Sequence, residues 1–241
     1  MSAGRVHVVA QLDLRFEDRS WPFAEQRRTD IDAHFDKLKR ANPRLFNGRV
    51  LVMSACDLTR DTLRGAFFET DYASFRSWLD WGCPQAGAWD CFAAAIVIGS
   101  DGGVVFGEMA AHTSNAGQVY FPCGTPDRDD IIAGKVDLLH SCTRELKEET
   151  GFDAAEFSVE LGWRIVALPS RIVAVKVLQA RHDAETLRAQ ALAHLRNETL
   201  PELADIRVLR DLQDIDAAVP DFAAVLLRSL WPSRPAKLGV P

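Results

Sequence analysis

The 241-residue sequence has few histidines and few cysteines, and neither set has the spacing of a metal site. The six histidines show no paired ligand spacing, which argues against zinc. The five cysteines form no C-x-x-C pair and are odd in number, which favours reduced thiols over a disulfide framework. From this cysteine pattern we expect a cytoplasmic protein.

Long apolar runs are also missing. Residues 92–98 form the longest run, far short of the ~20 residues that a membrane-spanning helix needs. Residues 1–11 lack the charged and apolar regions of a signal peptide. The net charge of −6 argues against a nucleic-acid polymer or an anionic membrane as partner, while a free nucleotide remains compatible. We therefore expect a soluble protein that acts on small molecules.

Carboxylates are concentrated at residues 144–152, Arg-Glu-Leu-Lys-Glu-Glu-Thr-Gly-Phe. At ~100° per residue, Glu145, Glu148 and Glu149 fall within an arc of roughly 100° on a helix. Like charges at this spacing repel one another, so a divalent cation among them would explain their presence. Mg²⁺ fits best, because it takes carboxylate oxygens and keeps waters and substrate phosphates as its other ligands.

The flanking residues predict the bounds of this acidic helix. Asp137 is a candidate N-cap, and Gly151 supplies the left-handed residue that ends the helix. Arg144 lies four residues before Glu148, within reach of a charge-assisted hydrogen bond. Three apolar residues recur on a face beside the carboxylates: Leu139, Cys142 and Leu146. The helix can therefore bury one side while its acids face a cleft.

The pattern of residues 144–152 resembles the second half of the Nudix box, the signature of hydrolases that cleave a nucleoside diphosphate linked to another group. Chance would produce it on the order of once in ten thousand sequences. The resemblance implies an α/β fold, an α/β/α sandwich with a mixed sheet, over residues 91–231. It implies Mg²⁺, or Mn²⁺ as a substitute, and no organic cofactor. The implied metal ligands are Glu145, Glu148, Glu149 and Gly124, and the implied catalytic residues are Arg144 and the same three glutamates.

The first half of the box departs from the family pattern. Asp130 stands where a glycine is usual, and Val136 stands where a glutamate is usual. Gly124, in the Phe-Pro-Cys-Gly-Thr segment, resembles the glycine that opens many Nudix boxes, which places about six extra residues before the helix. The insertion at 126–136 is rich in Asp and contains Gly134, so we predict an exposed loop.

The chain divides by pattern into three parts. Residues 1–90 predict an α+β extension, with a half-buried strand at 6–16, a helix capped by Asp30, a strand at 50–55 and a helix from about Asp71. Residues 91–231 predict the core. Its remaining elements are a hairpin at 93–106, strands at 118–121, 157–168, 172–178 and 206–209, and helices at 184–195 and 221–230. Residues 232–241 predict an irregular tail.

Two segments of the extension, at 39–48 and 70–75, resemble the N-terminal region of vertebrate Nudix hydrolases that act on UDP-glucose. The resemblance favours a nucleotide sugar as substrate, with the extension forming a wall of its pocket. Trp78, Trp81 and Trp89 are candidates for stacking on a base or sugar, although aromatic residues at helical spacing are more often core.

The expected function is Mg²⁺-dependent hydrolysis of a phosphoanhydride bond. Two alternatives remain open, a Nudix fold that senses nucleotides without catalysis and a housecleaning nucleoside triphosphate pyrophosphatase. An ordinary solvated helix face is the third interpretation of the acidic segment. The sequence does not identify the general base, and it leaves a homodimer open. Five glutamates besides the three of the helix are candidates for that base: Glu108, Glu156, Glu160, Glu198 and Glu202.

Overall fold

The structure is a computed structural model that describes residues 4–84 and 87–231, in which two mixed β-sheets and six helices confirm the predicted α/β class. The larger sheet contains β1 (Arg5–Val9), β5 (Asp90–Ile98), β6 (Val104–Met109), β7 (Val119–Tyr120), β8 (Cys123–Gly124), β11 (Ser158–Val159), β12 (Trp163–Leu168), β13 (Arg171–Gln179) and β14 (Leu203–Leu209). The smaller sheet contains β2 (Gln11–Phe16), β3 (Arg49–Leu58), β4 (Thr62–Asp71), β9 (Ile131–Ile132) and β10 (Lys135–Val136). The helices are α1 (Pro22–Gln26), α2 (Arg28–Ala41), α3 (Tyr72–Asp80), α4 (Leu138–Thr150), α5 (Ala184–Leu195) and α6 (Asp221–Leu230). The predicted tail at 232–241 lies outside the described residues.

Each sheet combines parallel and antiparallel pairs. In the larger sheet β13 runs parallel to β5, with Val173 opposite Phe92, and antiparallel to β12. In the smaller sheet β2 runs parallel to β4, and β3 runs antiparallel to β4. The predicted hairpin is confirmed, because Val97 pairs with Val105 across the turn between β5 and β6.

The first predicted strand divides between the two sheets. Chain direction changes at Ala10, where the amides of Ala10 and Gln11 both donate to the Asp61 carbonyl, at 2.8 and 3.2 Å. Consequently β1 pairs with β12 in the larger sheet, and β2 pairs with β4 in the smaller one. The even alternation of residues 6–16 is therefore misleading, since Val8 is 58% exposed and Val9 is buried.

The insertion at 126–136 is a second link between the sheets, and the expectation of a loop is wrong, although six of its eleven residues are exposed as predicted. It contains a short 3₁₀ helix (Arg128–Asp130) followed by the β9–β10 hairpin. Ala133 and Gly134 form the two-residue turn with positive φ values of 50° and 77°, the pattern that tight hairpins require. Lys135 pairs with Arg15, so the hairpin extends the smaller sheet.

The apolar core has three clusters. One lies between the larger sheet, α5 and α6, a second lies between the two sheets, and a third lies beneath α2 and α3. Trp78 is fully buried in the third cluster, 5.9 Å from Trp21 between ring centroids, so it is a core residue and not a stacking platform. Trp81 and Trp89 also pack partly buried against the clusters.

Two predicted caps have different outcomes. Asp71 caps α3, because its carboxylate accepts from the Ser74 amide at 3.0 Å. Asp30 lies inside the first turn of α2 and pairs with Arg27 at 2.7 Å, because α1 already begins at Pro22 and leads directly into α2. None of the helices in the described parts of the chain is long and apolar enough to cross a membrane.

Candidate active site

Helix α4 has the bounds that the sequence predicts. Asp137 accepts from the amides of Leu139 and His140, at 2.9 and 3.0 Å. Gly151 ends the helix with a φ of 76°. The buried face is formed by Leu138, Cys142 and Leu146, while Leu139 is 45% exposed, so the predicted face is displaced by one residue at its start. This burial fixes the helix against both sheets.

The three glutamates of α4 differ in burial. Glu149 is 7% exposed, and the Glu145 side chain is 15% exposed. The Glu148 side chain is 60% exposed and lies 3.4 Å from Arg144. Arg144 also contacts Glu145 at 2.8 Å. The structure therefore brings Glu145 and Glu149 together at the buried side of the helix and leaves Glu148 at its exposed side.

Burial dominates the electrostatics of the two inner glutamates, and neighbouring carboxylates add to its effect. Burial raises the pKa of Glu149 well above its usual range, and the Glu145 and Glu202 carboxylates add to the rise. Burial also raises the pKa of Glu145 to about 7, against the opposing effect of Arg144. Both carboxyl groups are thus costly to ionise unless a positive charge is brought to them.

Glu202 is the candidate base that the fold brings to this site. Its carboxylate is close enough to raise the pKa of both inner glutamates, and it lines the same cavity as Glu149. Glu160 instead pairs with Arg164 at 2.7 Å, and Glu198 pairs with His194. Glu202 has no sequence pattern that would have separated it from the other candidates.

Gly124 lies against the Glu145 carboxylate. A Cβ atom at position 124 would be within 2.7 Å of Glu145 Oε2 and closer still to the carboxyl carbon. Gly124 is held there by β8, where it pairs with Ala93 of β5. The neighbouring Cys123 amide donates a hydrogen bond that lowers the pKa of Glu149, which is too small an effect to offset burial. Glycine is required here for close approach.

Asp130 is a site residue that the sequence did not identify. It has no exposed surface, and its carboxylate contacts Arg144 at 3.3 Å and His140 at 3.0 Å. In the sequence, position 130 stands out only because the resembled motif usually has a glycine there. Its one local signal was the Asp-rich composition of the insertion.

Within residues 4–84 and 87–231, no group of three or more His, Cys, Asp or Glu side chains is already arranged to hold a metal ion. The donor set nevertheless fits a hard divalent cation. Glu149 forms no ion pair with any Arg, Lys or His of the described residues, although it is buried beside Glu145 and Glu202. Glu148 lies outward, paired with Arg144 at 3.4 Å, and a bound cation would reduce the repulsion among the three carboxylates.

Two neighbouring cavities open beside the inner glutamates. The first, which we term the glutamate cavity, has a volume of about 500 Å³ and is lined by Glu149 and Glu202 together with residues of the extension, including Arg44 and Phe46. The second, which we term the arginine cavity, has a volume of about 300 Å³ and is lined by Gly124, Arg76 and Arg171. Tyr72, Ser114, Asn115, Tyr120 and Cys123 line both.

No family model matches the sequence, and no curated protein matches it. Among solved structures, a Nudix hydrolase from M. Smegmatis, RenU, is 14% identical over 58% of this chain and 81% of its own, with a TM-score of 0.38. A MutT protein from Methanosarcina mazei Go1 is 16% identical over 58% and 91%, with a TM-score of 0.35. A bifunctional NMN adenylyltransferase/ADP ribose pyrophosphatase from Francisella tularensis, complexed with AMP and Mn, is 16% identical over 65% of this chain and 44% of its own, with a TM-score of 0.42.

Proposed function

We propose that this protein hydrolyses a phosphoanhydride bond in a nucleoside diphosphate linked to another group, with Mg²⁺ as its metal. The observation that carries the proposal is Glu149, a buried carboxylate without a cationic partner among the described residues, at the wall of a cavity of about 500 Å³. A buried charge without a partner is costly. Groups with strongly raised pKa values in a cleft are typical of functional sites.

In this proposal Glu145, Glu148 and Glu149 hold the metal together with the Gly124 carbonyl. Bound Mg²⁺ would neutralise charge on the diphosphate oxygens and lower the pKa of the attacking water. Arg144 holds Glu145 and Glu148 through its guanidinium group, at 2.8 and 3.4 Å. The outward Glu148 must turn toward the inner pair to take part.

We assign the role of general base, which accepts a proton from the attacking water, to Glu202. Water would attack one phosphorus atom, its proton would pass to Glu202, and the bond between that phosphorus and the bridging oxygen would break. Glu202 lies at the exposed rim of the glutamate cavity, where water can reach it. A positioned base of this kind contributes about 10²–10⁴-fold to the rate.

The glutamate cavity favours a substrate larger than a metal-bound phosphate. Its wall is formed in part by residues of the two segments that resemble the UDP-glucose hydrolases, 39–48 and 70–75. Phe46 is 81% exposed and could stack on a base, and Arg44 is an exposed cation beside it. We therefore propose a nucleotide sugar such as UDP-glucose as the substrate class.

The test is a substrate screen with the full chain and Mg²⁺ or Mn²⁺. We expect UDP-glucose to give UMP and glucose 1-phosphate. The screen also contains ADP-ribose, NADH, dinucleoside polyphosphates and nucleoside triphosphates. Faster turnover of triphosphates than of all diphosphate derivatives would favour the housecleaning enzyme. Tight nucleotide binding without turnover of any compound would favour the sensor, and absence of both would refute the proposal.

The variant Phe46→Ala tests the proposed substrate class. Loss of a stacking contact is worth about 1–3 kcal/mol, so KM for UDP-glucose should rise roughly 5- to 150-fold while kcat changes less. Leu161→Ala is the matched control, because Leu161 is 93% exposed and lines neither cavity. An unchanged KM in Phe46→Ala would show that Phe46 does not contact the substrate.

A further inference from the structure

We propose that Asp130, supplied by the insertion at 126–136, is a positioning residue that holds Arg144 and, through it, the Glu145 carboxylate. The proposal rests on the proposed metal site of α4. Val136, at the position where the resembled pattern has a glutamate, is buried in the apolar cluster between the sheets and offers Arg144 no carboxylate. The insertion thus provides an acid for the helix from a different place in the chain.

The Asp130 carboxylate is fully buried and is held from several directions. It contacts Arg144 Nη2 at 3.3 Å and His140 Nδ1 at 3.0 Å, and it accepts from the Asp127 amide at 3.1 Å. Its own carbonyl accepts from the amide of Asp137, the N-cap of α4, at 2.8 Å. Residue 130 is therefore fixed in relation to the first turn of the helix.

The second step runs from Arg144 to the inner glutamates. The Arg144 guanidinium lies among three carboxylates, with Asp130 at 3.3 Å, Glu145 at 2.8 Å and Glu148 at 3.4 Å. Asp130 shares the positive charge of the Arg144 guanidinium and holds its Nη2 atom away from the glutamates. Without the Asp130 charge, Arg144 would pair more strongly with Glu145 and Glu148 and compete with a cation for their oxygens.

The insertion itself is attached to the smaller sheet, so the position of Asp130 does not depend on α4 alone. The Leu51 amide donates to the Pro126 carbonyl at 2.8 Å, Arg128 pairs with Glu69, and Lys135 pairs with Asp13 at 3.1 Å. Because several contacts hold the insertion, the loss of a single one should leave Asp130 in place. The contact of Asp130 with Arg144 is of a different kind, because contacts that orient metal ligands typically change metal affinity or activity about 10- to 100-fold when they are lost.

The experiment compares Asp130→Asn with the wild-type full chain. Asparagine keeps an oxygen that can accept from the Asp127 amide, so the turn is preserved while the charge is lost. We expect Mn²⁺ affinity, measured by calorimetry and by the electron paramagnetic resonance of free Mn²⁺, to fall about tenfold. We expect kcat to fall about 10- to 100-fold, with KM changed less than about threefold.

A double-mutant cycle with Arg144→Gln separates positioning from simple charge. If Asp130 acts through Arg144, then Asp130→Asn lowers Mn²⁺ affinity about tenfold in the wild-type background but less than about twofold in Arg144→Gln. Equal losses in both backgrounds would overturn the proposal. Arg128→Gln is the matched control, because it removes an attachment of the same insertion without touching α4, and its Mn²⁺ affinity should equal that of the wild type.

The metal-binding measurement keeps this test independent of the proposed reaction. If the wild type binds Mn²⁺ but hydrolyses none of the screened compounds, the proposed function fails while the Asp130 cycle still decides its own question. Circular dichroism and thermal melting verify the fold of each variant, and Asp130→Ser is the second uncharged variant. Wild-type Mn²⁺ affinity in Asp130→Asn, a tenfold loss in Arg128→Gln, or unfolding of both Asp130 variants would overturn the positioning role.

Discussion

Two glutamates in different regions of this protein, each with little exposed side chain, have opposite electrostatic surroundings. The Glu69 side chain in β4 is 7% exposed, although the residue as a whole is only half-buried, and Glu149 in α4 is 7% exposed as a whole residue. Arg49 lies 2.6 Å from Glu69, and Arg128 contacts its other oxygen, so hydrogen bonds from the two arginines lower the pKa of Glu69. The charged neighbours of Glu149 are three carboxylates in place of arginines, and burial together with these carboxylates raises its pKa well above the usual range.

Glu69 is therefore an acid that stabilises the fold, whereas the negative charge of Glu149 has no cationic partner in the described residues. A buried carboxylate with hydrogen-bonded cations contributes to stability, whereas an unpaired one destabilises the native state when it ionises. Glu69 needs nothing from outside the chain. Glu149 lies at a cavity wall that a cation could reach, and the comparison therefore supports a site in α4 that a bound metal would complete.

Glu149→Gln should produce the largest effect. Loss of a proposed metal ligand removes charge stabilisation from the reaction, so we expect hydrolysis to fall by about 10³-fold or more. The fold should persist, because glutamine removes a buried charge that the protein does not compensate. Steady-state kinetics with Mg²⁺ and a thermal melt in EDTA measure the two parts. If Glu149→Gln retained full activity, the metal would have to bind elsewhere, and Glu149 would differ from Glu69 without functional consequence.

Gly124→Ala should have the next largest effect. The new Cβ would overlap the Glu145 carboxylate, which lies at the end of a flexible side chain and can turn away without disturbing β8. We expect kcat to fall about 10- to 100-fold, because displacement of a catalytic group by about 1 Å can cost this much. The melting temperature should change little. Wild-type kcat would show that the position of Glu145 does not matter for the reaction.

The features that could be predicted from the sequence are those set by residues close together in the chain. The bounds of α4, its caps at Asp137 and Gly151, and the helical arc of the glutamates follow from residues within a few positions of one another. Local rules of helix geometry and capping are sufficient for such features. The proposed role of Gly124 rests on a short sequence motif, and the structure places this residue against Glu145.

Features that depend on long-range pairing were not predictable in this way. The break at Ala10 exists because Asp61, which is distant in sequence, accepts both amides at that point. The β9–β10 hairpin forms because β2 offers an edge, and a polar Asp-rich segment carries no local sign of that partner. The contact of Asp130 with Arg144 depends on this hairpin, so it was hidden for the same reason.

Addition of Mg²⁺ should stabilise the protein by an amount that depends on Glu149. A ligand that binds only the native state at about 100 times its Kd adds about 2.7 kcal/mol to the free energy of unfolding. We therefore expect a rise in melting temperature with Mg²⁺ or Mn²⁺ in the wild type and in Glu69→Gln, and a much smaller rise in Glu149→Gln. An equal rise in all three proteins would show that the metal binds outside α4.

Glu69→Gln should have the smallest effect on hydrolysis and a clear effect on stability. It replaces charge-assisted hydrogen bonds from Arg49 and Arg128 with neutral ones, so the free energy of unfolding at pH 7 should fall by about 1–2 kcal/mol. Because the folded-state pKa of Glu69 lies below its usual value of 4.5, its contribution is present above that pH and disappears as the pH falls through the lowered pKa.

The pH dependence for Glu149 has the opposite sign. Its folded-state pKa is raised above 4.5, so in EDTA the wild type loses stability as the pH rises from that value toward the raised pKa, because the carboxyl ionises more readily in the unfolded chain. Urea unfolding between pH 3 and 8 should therefore show the wild type gaining on Glu69→Gln as the pH rises to about 4.5 and keeping a constant advantage above it, and losing to Glu149→Gln as the pH rises above 4.5. If the free energy of unfolding changed with pH in the same way in both variants, the two carboxylates would have similar electrostatic surroundings. The argument for a cation site at Glu149 would then fail.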